Sequence, residues 1–119
     1  MDRKEFTSYI LNNYVTNEEH PWADSPDNSV FRHPSNKKWF ALIMKIGSDK
    51  LGLNGGNIDV VNLKCEPAMI DNFLDGKSVV EAYHMNKTHW ITVIIGAADE
   101  PTAIVVAQKL GTHYKVAIM

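Results

Sequence analysis

A single cysteine, Cys65, stands in the 119 residues. That excludes an internal disulfide framework and fits a reducing compartment. No apolar run approaches the ~20 residues of a membrane span. The N-terminal "MDRKEFTSYI" is charged from its second residue and lacks an apolar h-region, so no signal peptide is expected. The expectation is a soluble, cytoplasmic protein that makes no use of a membrane. No serine sits in a nucleophile-elbow pattern. "GLNGG" at 52–56 lacks the spacing of a dinucleotide fingerprint or a P-loop and leads into no helix, so it is read as a hairpin connection. Internal repeats and low-complexity segments are missing too. What remains is one domain, residues 1–119, long enough for one hydrophobic core without staples.

Net charge is small, −2 with a pI near 6.2, but charge is unevenly placed. Residues 1–29 sum to −4, residues 30–64 to +4 and residues 65–119 to −2. The basic middle third is compatible with a basic face on a mildly acidic protein. It is equally compatible with hairpin turns that carry lysines for solubility.

Strand and helix signals alternate along the chain. Asp2 and Glu5 have the spacing of a capping box, and Phe6, Tyr9, Ile10 and Tyr14 recur at helical intervals, which predicts a helix over 3–14. Residues 15–29, with Pro21 and Pro26, predict a loop in which Trp22 is an anchor. Residues 29–33 predict a short strand and "PSNKK" a turn. "KWFALIMKI" at 38–46 is the strongest strand signal. Strict alternation puts Phe40, Leu42, Met44 and Ile46 on one face and Trp39, Ala41, Ile43 and Lys45 on the other. Both faces are largely apolar, which predicts a central strand whose second face is at least partly covered. A glycine-rich connection at 47–57 leads to a strand over 58–65, with Val61, Leu63 and Cys65 on one side and Asp59 exposed. Pro67 opens a helix over 67–75 that Gly76 closes. Val79 and Val80 pair briefly, "HWITVII" forms a strand that Gly96 ends, and a helix follows over 100–117, capped by Asp99 and weakened at Gly111. Its apolar stripe is Ala103, Ala107, Leu110 and Tyr114. The sum is a two-layer α+β domain with an antiparallel sheet and helices packed on one face.

Chemical sites are thin. Glu81, His84 and His89 do not make the three or four converging ligands that a metal needs, and no cofactor motif is present. Cys65 is expected to be buried and inert. His20 and His33 precede prolines and are read as solvated turn residues. His113 falls near the end of the last helix, where a cation is favoured.

The stretch "NKTHW" (Asn86, Lys87, His89, Trp90), with Tyr83 and His84 just before it, carries a resemblance. "LKCEP" at 63–67, and "PW" at 21–22 followed by a "VF…KKWFALI" hairpin, stand in the same order around it. These blocks resemble the MmcQ/YjbR family of small bacterial proteins from about residue 6 to residue 116. The resemblance implies a frataxin-like or secretion-chaperone-like α/β fold, no catalytic activity, and a DNA-binding role in which two hairpins act as wings. On this chain the wing residues would be Arg32, His33, Asn36, Lys37, Lys38 and Lys50, joined by Asn86 and Lys87 from the motif. Lysine and arginine neutralise phosphates, while asparagine and backbone N–H groups position a strand. Within the motif, Trp90 is expected to be a structural anchor and His89 to face the other way. The plain alternative for Asn86 is a side-chain turn bond, and for Lys87 simple solvation.

Three readings follow. One is a non-enzymatic module that binds duplex DNA. The second is a module for a protein partner or for self-association, using the apolar second face of strand 38–46. The third is a small-molecule binder or enzyme with His84, Lys87 and His89 in a cleft, for which no acid, nucleophile or cofactor motif completes the site.

Overall fold

Asp2 caps helix α1, Arg3–Asn13, by accepting a hydrogen bond from the Glu5 backbone N–H at 2.9 Å. The computed structural model describes residues 2–95 and 102–118, with side chains described as far as Leu110. Phe6 and Ile10, one turn apart on α1, are buried, and Tyr9 and Tyr14 pack beside them. The Tyr14 hydroxyl donates to the Ala107 carbonyl at 3.1 Å and so ties the end of α1 to the last helix. Burial holds that hydroxyl's pKa far above its usual value.

Five strands follow: β1 Ser29–Arg32, β2 Trp39–Gly47, β3 Asn57–Lys64, β4 Val79–Glu81 and β5 Trp90–Ile95. They pair antiparallel in the order β1-β2-β3-β5-β4. Strand β2 is interior, as its two apolar faces require, although the geometric middle belongs to β3. A 3₁₀ turn, Ser48–Leu51, lies between β2 and β3. A second one, Pro67–Met69, runs into the short helix α2, Ile70–Phe73, which ends before the expected Asp75. Asp75 instead closes the approach to β4. Its Oδ1 accepts from the N–H groups of Lys77, Ser78 and Val79 at 2.7–2.9 Å, while Gly76 takes a left-handed φ of 71°.

The helices gather on one face. Ala41, Ile43, Val61, Leu63, Ile91 and Val93 form its floor, and Phe6, Ile10, Ala103, Val106, Ala107 and Leu110 cover it from α1 and α3, the latter spanning Thr102–Ile118. Cys65 lies in this core at 2% exposure, and burial, with Glu66 adding, pushes its thiol pKa up to about 11. Gly96 and Asp99 lie outside the described residues, as do the side chains of His113 and Tyr114 and the contacts of Gly111.

Two details depart from strict strand reading. Phe31 pairs with Ala41 but Arg32 pairs with Trp39, so Phe40 is one residue too many for its partner strand. The alternation resets at that bulge. Phe40 joins Ala41 and Ile43 in the helix-side core, and Trp39 joins Leu42 and Met44 on the opposite face. Asp59, expected to be exposed, is half-buried, and its Oδ1 lies 3.6 Å from Nη1 of Arg3. The nearby guanidinium offsets part of the cost of that burial, and Oδ1 itself has no hydrogen-bond partner among the described residues.

Candidate nucleic-acid interface

Successive hairpins of an antiparallel meander turn at alternate ends of the sheet. The β1–β2 turn, residues 33–38, lies beside Trp39, and the β2–β3 connection, residues 48–56, lies beside Gly47. Strand β2 has nine residues, so the two turns stand roughly 27–30 Å apart. Lys50 therefore lies at the opposite end of the sheet from Lys37 and Lys38. At the Trp39 end a different group assembles. Lys64 pairs in register with Trp90, so the end of β3, the start of β5 and the loop before it lie with the 33–38 turn.

The candidate residues other than Lys50 have definite places at this end. Lys37 and Lys38 are exposed; Lys37 adopts a φ of 62°, and Asn36 Oδ1 fixes the turn by accepting from the Lys38 N–H at 2.9 Å. Arg32 is occupied. Its Nε lies 3.1 Å from Oε2 of Glu19, and its guanidinium sits 5.8 Å from the centre of the Trp39 ring. His33 is not a solvated turn residue, because only 7% of it is exposed and its ring stacks on Phe40 at 4.7 Å. Burial, with Lys64 adding, holds its pKa below the usual histidine value.

The motif loop is held by a buried polar pair on the face opposite the helices. Thr92 Oγ1 donates to Asn62 Oδ1, Asn62 Nδ2 donates to the Tyr83 carbonyl at 3.1 Å, and the Tyr83 N–H donates to Thr92 Oγ1 at 2.8 Å. Both polar side chains are fully buried and satisfied. Above them His84 takes a φ of 62° and rests against Tyr83 with ring centres 4.2 Å apart. Asn86 makes the turn bond, accepting from the Thr88 N–H at 2.8 Å. Lys87 is exposed, but its Nζ donates to the Ala82 carbonyl at 2.7 Å, which fixes the direction of its charge. His89 is exposed while Trp90 is buried, as alternation requires.

Asn62 and Thr92 escaped the sequence reading. Their signal was a polar residue inside each of two apolar strands, at positions the register brings side by side. Trp22 is the other part that gains meaning from the fold. It stands edge-on to Trp39, with ring centres 5.6 Å apart, and so holds the 15–28 connection over the second face of the sheet.

Electrostatically, this end presents Lys37, Lys38, Lys64 and Lys87 with the paired Arg32. The carboxylates near it are Glu19, already joined to Arg32, and Glu66 and Glu81 at the ends of β3 and β4. Among the described residues no three His, Cys, Asp or Glu side chains converge as metal ligands. No described helix is long and apolar enough to cross a membrane.

Relatives share this framework. The protein YyaQ of Bacillus subtilis, itself described as uncharacterised, is 39% identical over 100 residues, covering 83% of this chain and 85% of its own. A crystal structure of a protein from Pseudomonas syringae superposes with a TM-score of 0.80 at 40% identity, covering 89% of this chain and 92% of that one. The protein DR2400 of Deinococcus radiodurans, with its DUF419 domain, superposes at 0.61 with 20% identity, covering 87% and 70%, and shares the fold. The YjbR family model matches residues 11–107, from the last turn of α1 into the middle of α3, and with it every strand and loop described above: the chain belongs to the YjbR family.

Proposed function

We propose that the protein is a non-enzymatic module that binds the phosphate backbone of duplex DNA through the Trp39 end of its sheet. The observation that supports this is the convergence of Lys37, Lys38, Lys64 and Lys87 from three separate segments onto one end of a protein whose net charge is −2. Cations grouped in this way release condensed counterions when they meet phosphates, which favours binding without any base contact. Lys50 takes no part in this interface, since it sits at the far end. With about four phosphate contacts the affinity is modest and strongly salt-dependent.

Titration of duplex DNA at ~50 mM salt and micromolar protein tests the reading, since a phosphate-driven binder is strongest there. Binding that weakens steeply with added salt, and weakens further in Lys64→Ala and Lys87→Ala, supports it. No binding under those conditions rejects it, and the second face of the sheet then becomes the surface to test for a protein partner.

A further inference from the structure

The second face of the sheet carries a built groove. Trp22 and Trp39, perpendicular to one another and both half-buried, wall it together with Leu42, Met44 and Met85. Its volume is about 420 Å³, within the ~300–1,000 Å³ typical of pockets that take small organic groups. Asp24, Ser25 and His84 lie along the rim and bring hydrogen-bonding groups to an otherwise aromatic and thioether-lined space.

Charge is arranged about this groove with a direction. Lys37 and Lys38 immediately precede Trp39 and are exposed, and Arg32, already joined to Glu19, lies over the Trp39 ring. Asp24, on the rim, is the acidic counterpart. An occupant that is planar and apolar on its faces, polar at its edge and attached to an anionic chain matches all three features. One face meets one indole while the other indole, set at 90°, abuts its side, its polar edge meets the rim, and its anionic chain runs toward the lysines and away from Asp24. Base-on-aromatic stacking of this kind tolerates any base, because each has a π-face.

We propose that the groove seats one unpaired base of a single-stranded nucleic acid against Trp22 and Trp39, with the adjoining phosphates on Lys37 and Lys38. This rests on the backbone reading above and adds a base seat to it. Duplex DNA keeps its bases stacked inside and offers the same surface only phosphates. A single strand gains the stacking contact, which is worth about tenfold or more in affinity.

The test compares three probes at ~50 mM salt: a twelve-nucleotide single strand, an abasic strand of the same length and backbone, and a duplex. Anisotropy reads binding, and tryptophan fluorescence reads contact with the groove, since Trp90 is buried and Trp22 and Trp39 are not. The expected result is that the base-bearing strand binds at least about tenfold more tightly than the abasic one and alone quenches fluorescence. Trp22→Ala should remove that advantage and leave abasic and duplex binding as they were. Should that variant fail to fold, the wild-type comparison of base-bearing and abasic strands decides. Equal affinity for those two strands, with salt-sensitive binding retained, overturns the base seat and leaves the backbone reading standing. Quenching by a free nucleoside without strand binding overturns it in favour of a small-molecule site. Binding of none of the three probes removes both readings.

Discussion

The two ends of the sheet are made from the same strands and carry similar numbers of lysines, yet their charges are organised differently. At the Gly47 end each cation has a carboxylate close in sequence or register. Lys50 follows Asp49, Lys77 follows Asp75, and Lys45 lies opposite Asp59, which is paired with Arg3. At the Trp39 end Lys37, Lys38 and Lys87 come from turns without an adjacent acid, whereas Lys64 has Glu66 two residues on and Arg32 is joined to Glu19. Acids near in sequence or register accompany the cations of one end, and the fold gathers four lysines from three segments at the other. A net charge near zero thus conceals an uneven surface, and chain topology decides which lysines act together.

The ends also differ in how they are held. The Trp39 end depends on buried groups, so changes there should cost the most. Trp90→Ala should lower stability by ~3–5 kcal/mol, measured by urea denaturation, because the ring is 8% exposed at the start of β5. A loss below ~1 kcal/mol would mean that the ring contributes little to the seat of this end. Asn62→Ala should cost ~1–3 kcal/mol, since it leaves the Thr92 hydroxyl and the Tyr83 carbonyl without their buried partner. It should also speed amide exchange across residues 83–88, while exchange near Ser48 stays as in the wild type.

The Asp75 turn at the Gly47 end is held by largely exposed bonds and should respond more weakly. Asp75→Ala should cost ~1 kcal/mol, in the range of losing a side-chain cap. The backbone N–H groups of Val79 and Lys77 hold the Asp75 carboxyl below its usual pKa. Its contribution is therefore complete above the unfolded value of ~3.9 and is lost as pH falls through the lower folded value. The alanine variant should lack that part of the acid loss.

His33 gives the smallest effect and returns the comparison to the Trp39 end. Burial first, and then Lys64, lower its pKa in the fold. Between the unfolded value of ~6.5 and the folded one, the unfolded chain holds a proton that the native state refuses, so stability decreases as pH drops through that window. Urea midpoints of the wild type at pH 7 and pH 5.5 should differ by more than those of His33→Phe. An equal difference would show that the ring is solvated.

Much of this architecture was legible in the chain because it depends on local chemistry. The Asp2 cap, the Phe6–Ile10 stripe, the apolar run of β2, the buried side of Cys65 and the brief strand at Val79 each follow from neighbours a few residues away. What escaped depends on partners distant in sequence. The bulge at Phe40 exists only relative to β1, and it exchanges the faces assigned to Phe40 and Trp39. His33 looked solvated before Pro34 until Phe40 came up against it. Asn62 and Thr92 are 30 residues apart and become a pair only through the β3–β5 register. The separation of the two hairpin tips is a different case. It was implicit in the meander, where consecutive turns alternate ends, so Lys50 and Lys38 stand at opposite ends.

The central claim, that cations at one end of the sheet act together on phosphates, is tested most directly by the salt dependence of duplex DNA affinity. The measurement compares the wild type with Lys37→Ala/Lys38→Ala and with Lys50→Ala. Each phosphate contact contributes a slope near −0.9 to log affinity against log salt, so the double variant should flatten the slope by about two units and weaken binding alike for all sequences. Lys50→Ala, at the far end, should leave both slope and affinity unchanged. Equal flattening per lysine removed at the two ends would contradict the account, as would an unchanged slope in the double variant.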